Sequence, residues 1–127
     1  MSERAARTFF GLTTVFTAML GVSWFAAPGT MLGQWGVPAP DAAALYVARR
    51  YATMFFGYSV LLWLAREATG SPAGRAICAG GAVVTGVMAV VTLQGLNTGV
   101  VTGPMVWSAA VAEVLLAAGF VAAWRRR

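Results

Sequence analysis

The sequence predicts an all-α fold, a transmembrane four-helix bundle with both termini on the cytoplasmic side, and three observations lead there. Of the 127 residues, 59% are hydrophobic and only 10% charged, with a mean hydropathy of +0.73, whereas a soluble domain carries about 25% charged residues. Four apolar runs are separated by turns rich in glycine and proline, and each run can cross a hydrocarbon core of about 30 Å at 1.5 Å per residue. The basic residues, finally, are unevenly spread around those runs. Residues 1–127 are therefore expected to form one transmembrane domain, with any function located in or at the membrane.

The first helix is expected over about residues 8–27, after Arg4 and Arg7 and before Pro28 and Gly29. Its apolar run is longer than the core of a signal peptide, so it is read as a retained span. The second span poses a length problem, because only fifteen residues separate Arg50 from Arg66. That is too short to cross a bilayer core at the helical rise. The start signal lies upstream, where Asp41 follows Pro40 as an N-cap, so the helix is expected over 42–65. Arg49 and Arg50 then sit inside its outer half instead of marking its end. The third helix, about 73–96, follows Ser71 as N-cap and Pro72 as the opening proline. The fourth, about 104–124, opens at Pro104 and closes before three terminal arginines.

Orientation follows from the arginines. With the N-terminus in the cytoplasm, Arg4, Arg7, Arg66, Arg75, Arg125, Arg126 and Arg127 all fall on the inner side, while the outer loops around 29–40 and 94–103 hold none, seven against zero. Trp24, Trp35 and Trp107 then lie at the outer interface, and Trp63 and Trp124 at the inner one. The expected location is the plasma (inner) membrane, multi-pass, with both termini cytoplasmic.

Composition also narrows the chemistry. The nine basic residues are all arginine and sit almost wholly beside apolar runs, so topology accounts for them better than a nucleic acid partner, and none is expected. The partners expected are the lipid bilayer and either further copies of the chain or a larger membrane complex. There is no histidine, which removes the common haem and zinc ligands, and no lysine, which removes Schiff-base chemistry. The one cysteine, Cys78, has no second thiol in the chain to pair with. No P-loop, G-x-S-x-G or H-E-x-x-H occurs. The chain is read as having no cofactor and as not being an enzyme.

The residues that stand out are charges within lipid. Glu113 lies near the middle of the fourth helix, and an ionised group at the bilayer centre costs at least about 2.5–3.5 kcal/mol, so it should face inward, be protonated or meet a cation. From the inner ends of their helices, Arg50 lies about 24 Å up and Glu113 about 18 Å up, a difference of about 6 Å that two long side chains can span. An intramembrane pair of Glu113 with Arg50 or Arg49 is therefore expected, with Arg50 preferred. Arg50 shares a helix face with Tyr46, Thr53 and Gly57, which is small and polar for a membrane segment. Arg49 shares its face with Leu45, Ala52, Phe56 and Trp63 and is expected to snorkel to the headgroups. Such a pair could hold helix register alone, take a ligand, or move a proton. Thr14, Thr17, Thr53, Gly57, Tyr58 and Thr85 are the candidate lining of a pocket beside it. Small residues along helix faces are equally what close helix packing requires.

The order of features, with P-G-T-M-L after the first helix, an arginine-bearing second helix leading into a glycine-bearing apolar run, and four helices in about 130 residues, resembles the small four-helix bacterial membrane proteins grouped near the DoxX-like families. The resemblance implies a plasma-membrane four-helix bundle of unassigned activity, and of site residues it carries over only the arginine at 49 or 50. Small multidrug transporters are a poor match, since their carboxylate lies in the first helix, and vitamin K epoxide reductase-like proteins need a C-x-x-C. The functional expectation is a non-enzymatic accessory or structural membrane component. The alternative is a small transporter or lipophilic-ligand binder that uses Glu113 and Arg50.

Overall fold

A computed structural model of the chain describes residues 1–125. Arg126 and Arg127, which contribute to the charge asymmetry above, lie outside the described residues. Five α-helices and one 3-10 turn appear: α1 Glu3–Ala26, α2 Pro28–Gln34, α3 Ala42–Ala65, a 3-10 turn Arg66–Ala68, α4 Pro72–Thr98 and α5 Pro104–Trp124. Among the described residues the four long helices are present near where expected, and the fifth helix, α2, is an addition in what reads as a loop.

The boundaries follow local capping chemistry. α1 starts five residues before the expected 8 because the Ser2 hydroxyl accepts from the Ala5 N–H, so Arg4 and Arg7 lie within the helix and not ahead of it. Its end is set by Pro28, which cannot continue the ladder of α1 and instead opens α2. Asp41 caps α3 as expected, its carboxylate accepting from the Ala44 N–H at 2.7 Å. Ser71 caps α4 in the same way through the Gly74 N–H at 3.0 Å, with Pro72 in first position. α4 runs two residues past 96 and stops at Gly99, whose φ of 72° is left-handed and frees its N–H to reach back to the last carbonyls.

Three helices, α1, α4 and α5, are long and apolar enough to cross a membrane. α3 matches α1 in length but carries both internal arginines, and these lower its mean hydropathy. Burial runs opposite to that of a soluble protein. The interior is largely small or weakly polar, with Ala6, Ala48, Ala52, Ala89, Ala110, Thr13, Thr17, Thr85 and Thr92 buried. The outside carries Leu12, Met19, Met54, Leu64, Val90, Trp107 and Leu115. Large exposed apolar side chains around small interior ones suit a lipid solvent, where close backbone approach replaces hydrophobic burial as the force between helices.

The helices associate as two close pairs, α1 with α3 and α4 with α5, which meet one another more sparsely. In the first pair, the Ser59 hydroxyl donates across to the Thr14 carbonyl at 3.0 Å, and Gly21 admits the Phe56 ring and the Phe55 Cβ. In lipid a serine hydroxyl needs such a partner, and this one crosses between helices. The two pairs are joined by large side chains near the end where α1 begins: Phe10, Leu62, Cys78 and Phe120 are wholly buried, with Phe9, Tyr58 and Leu116 against them. Phe120 sets its ring edge-on to Phe9 and Phe10, at centroid distances of 5.0 and 6.0 Å.

The same end gathers the charged residues. Glu67 meets the Arg7 guanidinium at 3.0 Å and the Arg66 Nε at 3.4 Å, while Arg66 also lies over the Trp63 ring at 3.4 Å. Glu67 is more than half exposed. Pairs in that setting contribute between nothing and about 1 kcal/mol. Glu67→Gln is accordingly expected to lower stability by less than about 1 kcal/mol, an effect that denaturant unfolding in detergent would measure and that added salt would shrink further.

Candidate functional site

The site is built on α5. Val106, Ala110, Glu113, Phe120 and Ala123 form the buried stripe of this helix, and their helical spacing turns the Glu113 carboxyl inward. Glu113 is only 7% exposed and, as the tenth residue of a 21-residue helix, lies about 14 Å from its start. From α4, Thr92 offers its hydroxyl to the carboxyl. From α3, the half-exposed Tyr51 acts electrostatically on the same region, and its hydroxyl donates to the Met88 thioether of α4 at 3.6 Å. The second carboxyl oxygen, Oε2, is buried and has no hydrogen-bond partner.

The expected ion pair is not formed. Among the described residues, neither Arg49 nor Arg50 comes within 4.0 Å of Glu113, and the ion pairs present all involve Glu3 or Glu67 at the arginine-rich end. Arg49 and Arg50 are both exposed. The rotation of α3 differs from the expected one. Its inward arc is Ala48, Ala52, Ser59, Leu62 and Ala65, because alanine and serine let α3 approach α1 most closely. Arg50 sits one residue, about 100°, away from Tyr51 on the helix, and its guanidinium stays outside.

That rotation also divides the candidate lining residues. Thr53 and Gly57 face outward with Arg50; the Thr53 hydroxyl donates to the Arg50 carbonyl at 2.7 Å, and open space surrounds Gly57. Thr14 is half-buried beside a shallow apolar groove along α1, with Val15, Ala18, Met19 and Val22. Thr17 and Thr85 are buried and donate to carbonyls of their own helices, at 2.9 Å to Thr13 and 2.7 Å to Gly81. Tyr58 joins the apolar core, its ring beside Phe120 and its hydroxyl against Gly81, where it too lacks a hydrogen-bond partner. None of these six is among the side chains that meet the Glu113 carboxyl.

Sequence reasoning did not find Tyr51, Met88 and Thr92. One signal was available, since Thr85 and Thr92 are seven residues apart and fall on one face of α4 with Gly81 and Ala89. Tyr51 was hidden by its neighbours, two arginines that attract an electrostatic reading. The chain matches no family model, no curated protein and no solved structure.

Proposed function

We propose that the chain is a multi-pass protein of the plasma membrane, a four-helix bundle with both termini cytoplasmic, that acts without catalysing a reaction as an accessory or structural component. The observation that carries this reading is the outer face of α3. It exposes Arg49, Arg50, Thr53 and Gly57, and among the described residues no acidic side chain pairs with either arginine. Two guanidiniums in a membrane helix are costly without a polar neighbour, and the small residues beside them allow another helix to approach. A second copy of the chain, or a helix of a larger membrane complex, supplies both. The charge asymmetry of the loops supports the orientation, and the alternating run of α1, α3, α4 and α5 supports the bundle.

Crosslinking within native membranes, followed by sizing in mild detergent, tests the proposal. The wild-type chain is expected in an assembly larger than one copy, and Arg49→Gln with Arg50→Gln is expected to lower the assembled fraction about tenfold, which corresponds to about 1.4 kcal/mol. Recovery of both forms as single copies would overturn the accessory reading. A second reading, a small transporter or lipophilic-ligand binder, is favoured by one feature, the unpartnered Oε2 of Glu113.

A further inference from the structure

Glu113 is the one acidic residue placed away from the ends of the helices, and its surroundings are unlike those of a salt bridge. Its helix neighbours on α5 are alanine, valine and leucine. From α4 it meets Thr92, with Met88 one turn away, and the only titratable side chains of α4 are Arg75 and Cys78, in the opposite half of that helix. From α3 the titratable group that couples to it is Tyr51, while Arg49 and Arg50 face outward. The acid and bases of α1, Glu3, Arg4 and Arg7, lie in its first turns at the arginine-rich end. A carboxyl more than nine-tenths buried, with one oxygen unpartnered and no guanidinium in reach, is best satisfied by a proton.

We propose that Glu113, Thr92 and Tyr51 form a proton-binding site in the middle of the membrane, where the carboxyl holds a proton at neutral pH and exchanges it with water instead of pairing with an arginine. Each group has a role its chemistry permits. Thr92 donates to one carboxyl oxygen. The other oxygen, Oε2, carries the exchangeable proton. Tyr51 of α3, whose own proton is directed at the Met88 sulfur, is the neighbouring titratable group whose electrostatics act on the carboxyl. The site does not depend on the accessory reading, because loss of assembly through the outer face of α3 leaves all three residues in place.

Infrared spectroscopy of the full chain in lipid vesicles tests this directly. The chain has three glutamates, Glu3, Glu67 and Glu113, and the first two are exposed. In a Glu3→Gln, Glu67→Gln variant grown with glutamate carrying a 13C side-chain carboxyl, Glu113 is the sole labelled glutamate. The expected result is a labelled carboxylic-acid C=O band at pH 7 that gives way to carboxylate bands at alkaline pH. Tyr51→Phe and Thr92→Val are each expected to move that band, and Arg49→Gln and Arg50→Gln to leave its titration unchanged. Carboxylate bands at pH 7 would overturn the proposal, as would a band that never titrates, a band insensitive to both neighbours, or one whose titration moves with either arginine. Should the labelled variant fail to fold, the wild-type spectrum minus that of Glu113→Gln reads the same bands.

Discussion

Phe120→Ala is expected to lower stability by about 3 kcal/mol, near the low end for truncating a buried phenylalanine. Phe120 is wholly buried and joins all four long helices. Its ring meets Phe9 and Phe10 of α1 edge-on, tilts against Tyr58 of α3 at 6.3 Å, and lies where a Cβ on Gly81 of α4 would be 2.9 Å away. Truncation leaves a void that these neighbours fill only partly, so dispersion contacts and edge-to-face pairs are lost together. The figure sits low because in lipid the separated helix still has an apolar solvent, which reduces the transfer part of the cost. Unfolding by a denaturing detergent in bicelles measures it. Phe25→Ala is the control: Phe25 is half exposed at the other end of α1, and a change of no more than about 0.5 kcal/mol is expected.

Gly103→Ala is expected to cost about 1–3 kcal/mol, the range for forcing extra volume into a closed site, and to loosen the end opposite the arginines. A methyl group on Gly103 would overlap the carbonyl of Gln34 and stand 2.6 Å from the Gly36 nitrogen. Both obstacles are backbone, so no rotamer change relieves them. Gly36 in turn has a φ of 91°, a conformation that only glycine adopts without strain. This contact positions the Thr102 N–H to donate to the Trp35 carbonyl at 3.2 Å, and Trp35 is set edge-on to Trp24 at 6.0 Å. Two loops distant in sequence are thereby locked across one end of the molecule. Faster hydrogen exchange at the Thr102 amide and a shift in tryptophan emission are the expected signatures, and unchanged exchange at Thr102 would refute the lock.

Much of this architecture was legible in the chain. Asp41, Ser71, Pro72 and Pro104 open helices where their side chains or fixed φ dictate, so three of the four long helices were placed within a residue or two at the start. α2 was not legible: its seven residues include two glycines and a proline, a composition that reads as a loop, and proline at its first position outweighs propensity only once α1 has ended. For the site, Glu113 is conspicuous because a carboxylate in an apolar run stands out, and its place midway along α5 follows from the residue count. Its partners were missed because depth fixes one coordinate and rotation another. The sequence pairs Glu113 with an arginine at a similar distance along its helix, whereas α3 turns alanine and serine inward and leaves Arg50 exposed.

The sequence by itself determined the apolar character of this chain, the number and approximate length of its long helices and the presence of one acidic group midway along the last of them, because hydropathy, capping and rise are properties of single segments. Only the tertiary structure decided which face of α3 is inside, that the Glu113 carboxyl is buried beside Thr92 of α4, and that two loops close on each other through Gly36 and Gly103. Those outcomes depend on how closely small side chains let two backbones approach, and a helix that is apolar around most of its circumference does not encode its own rotation.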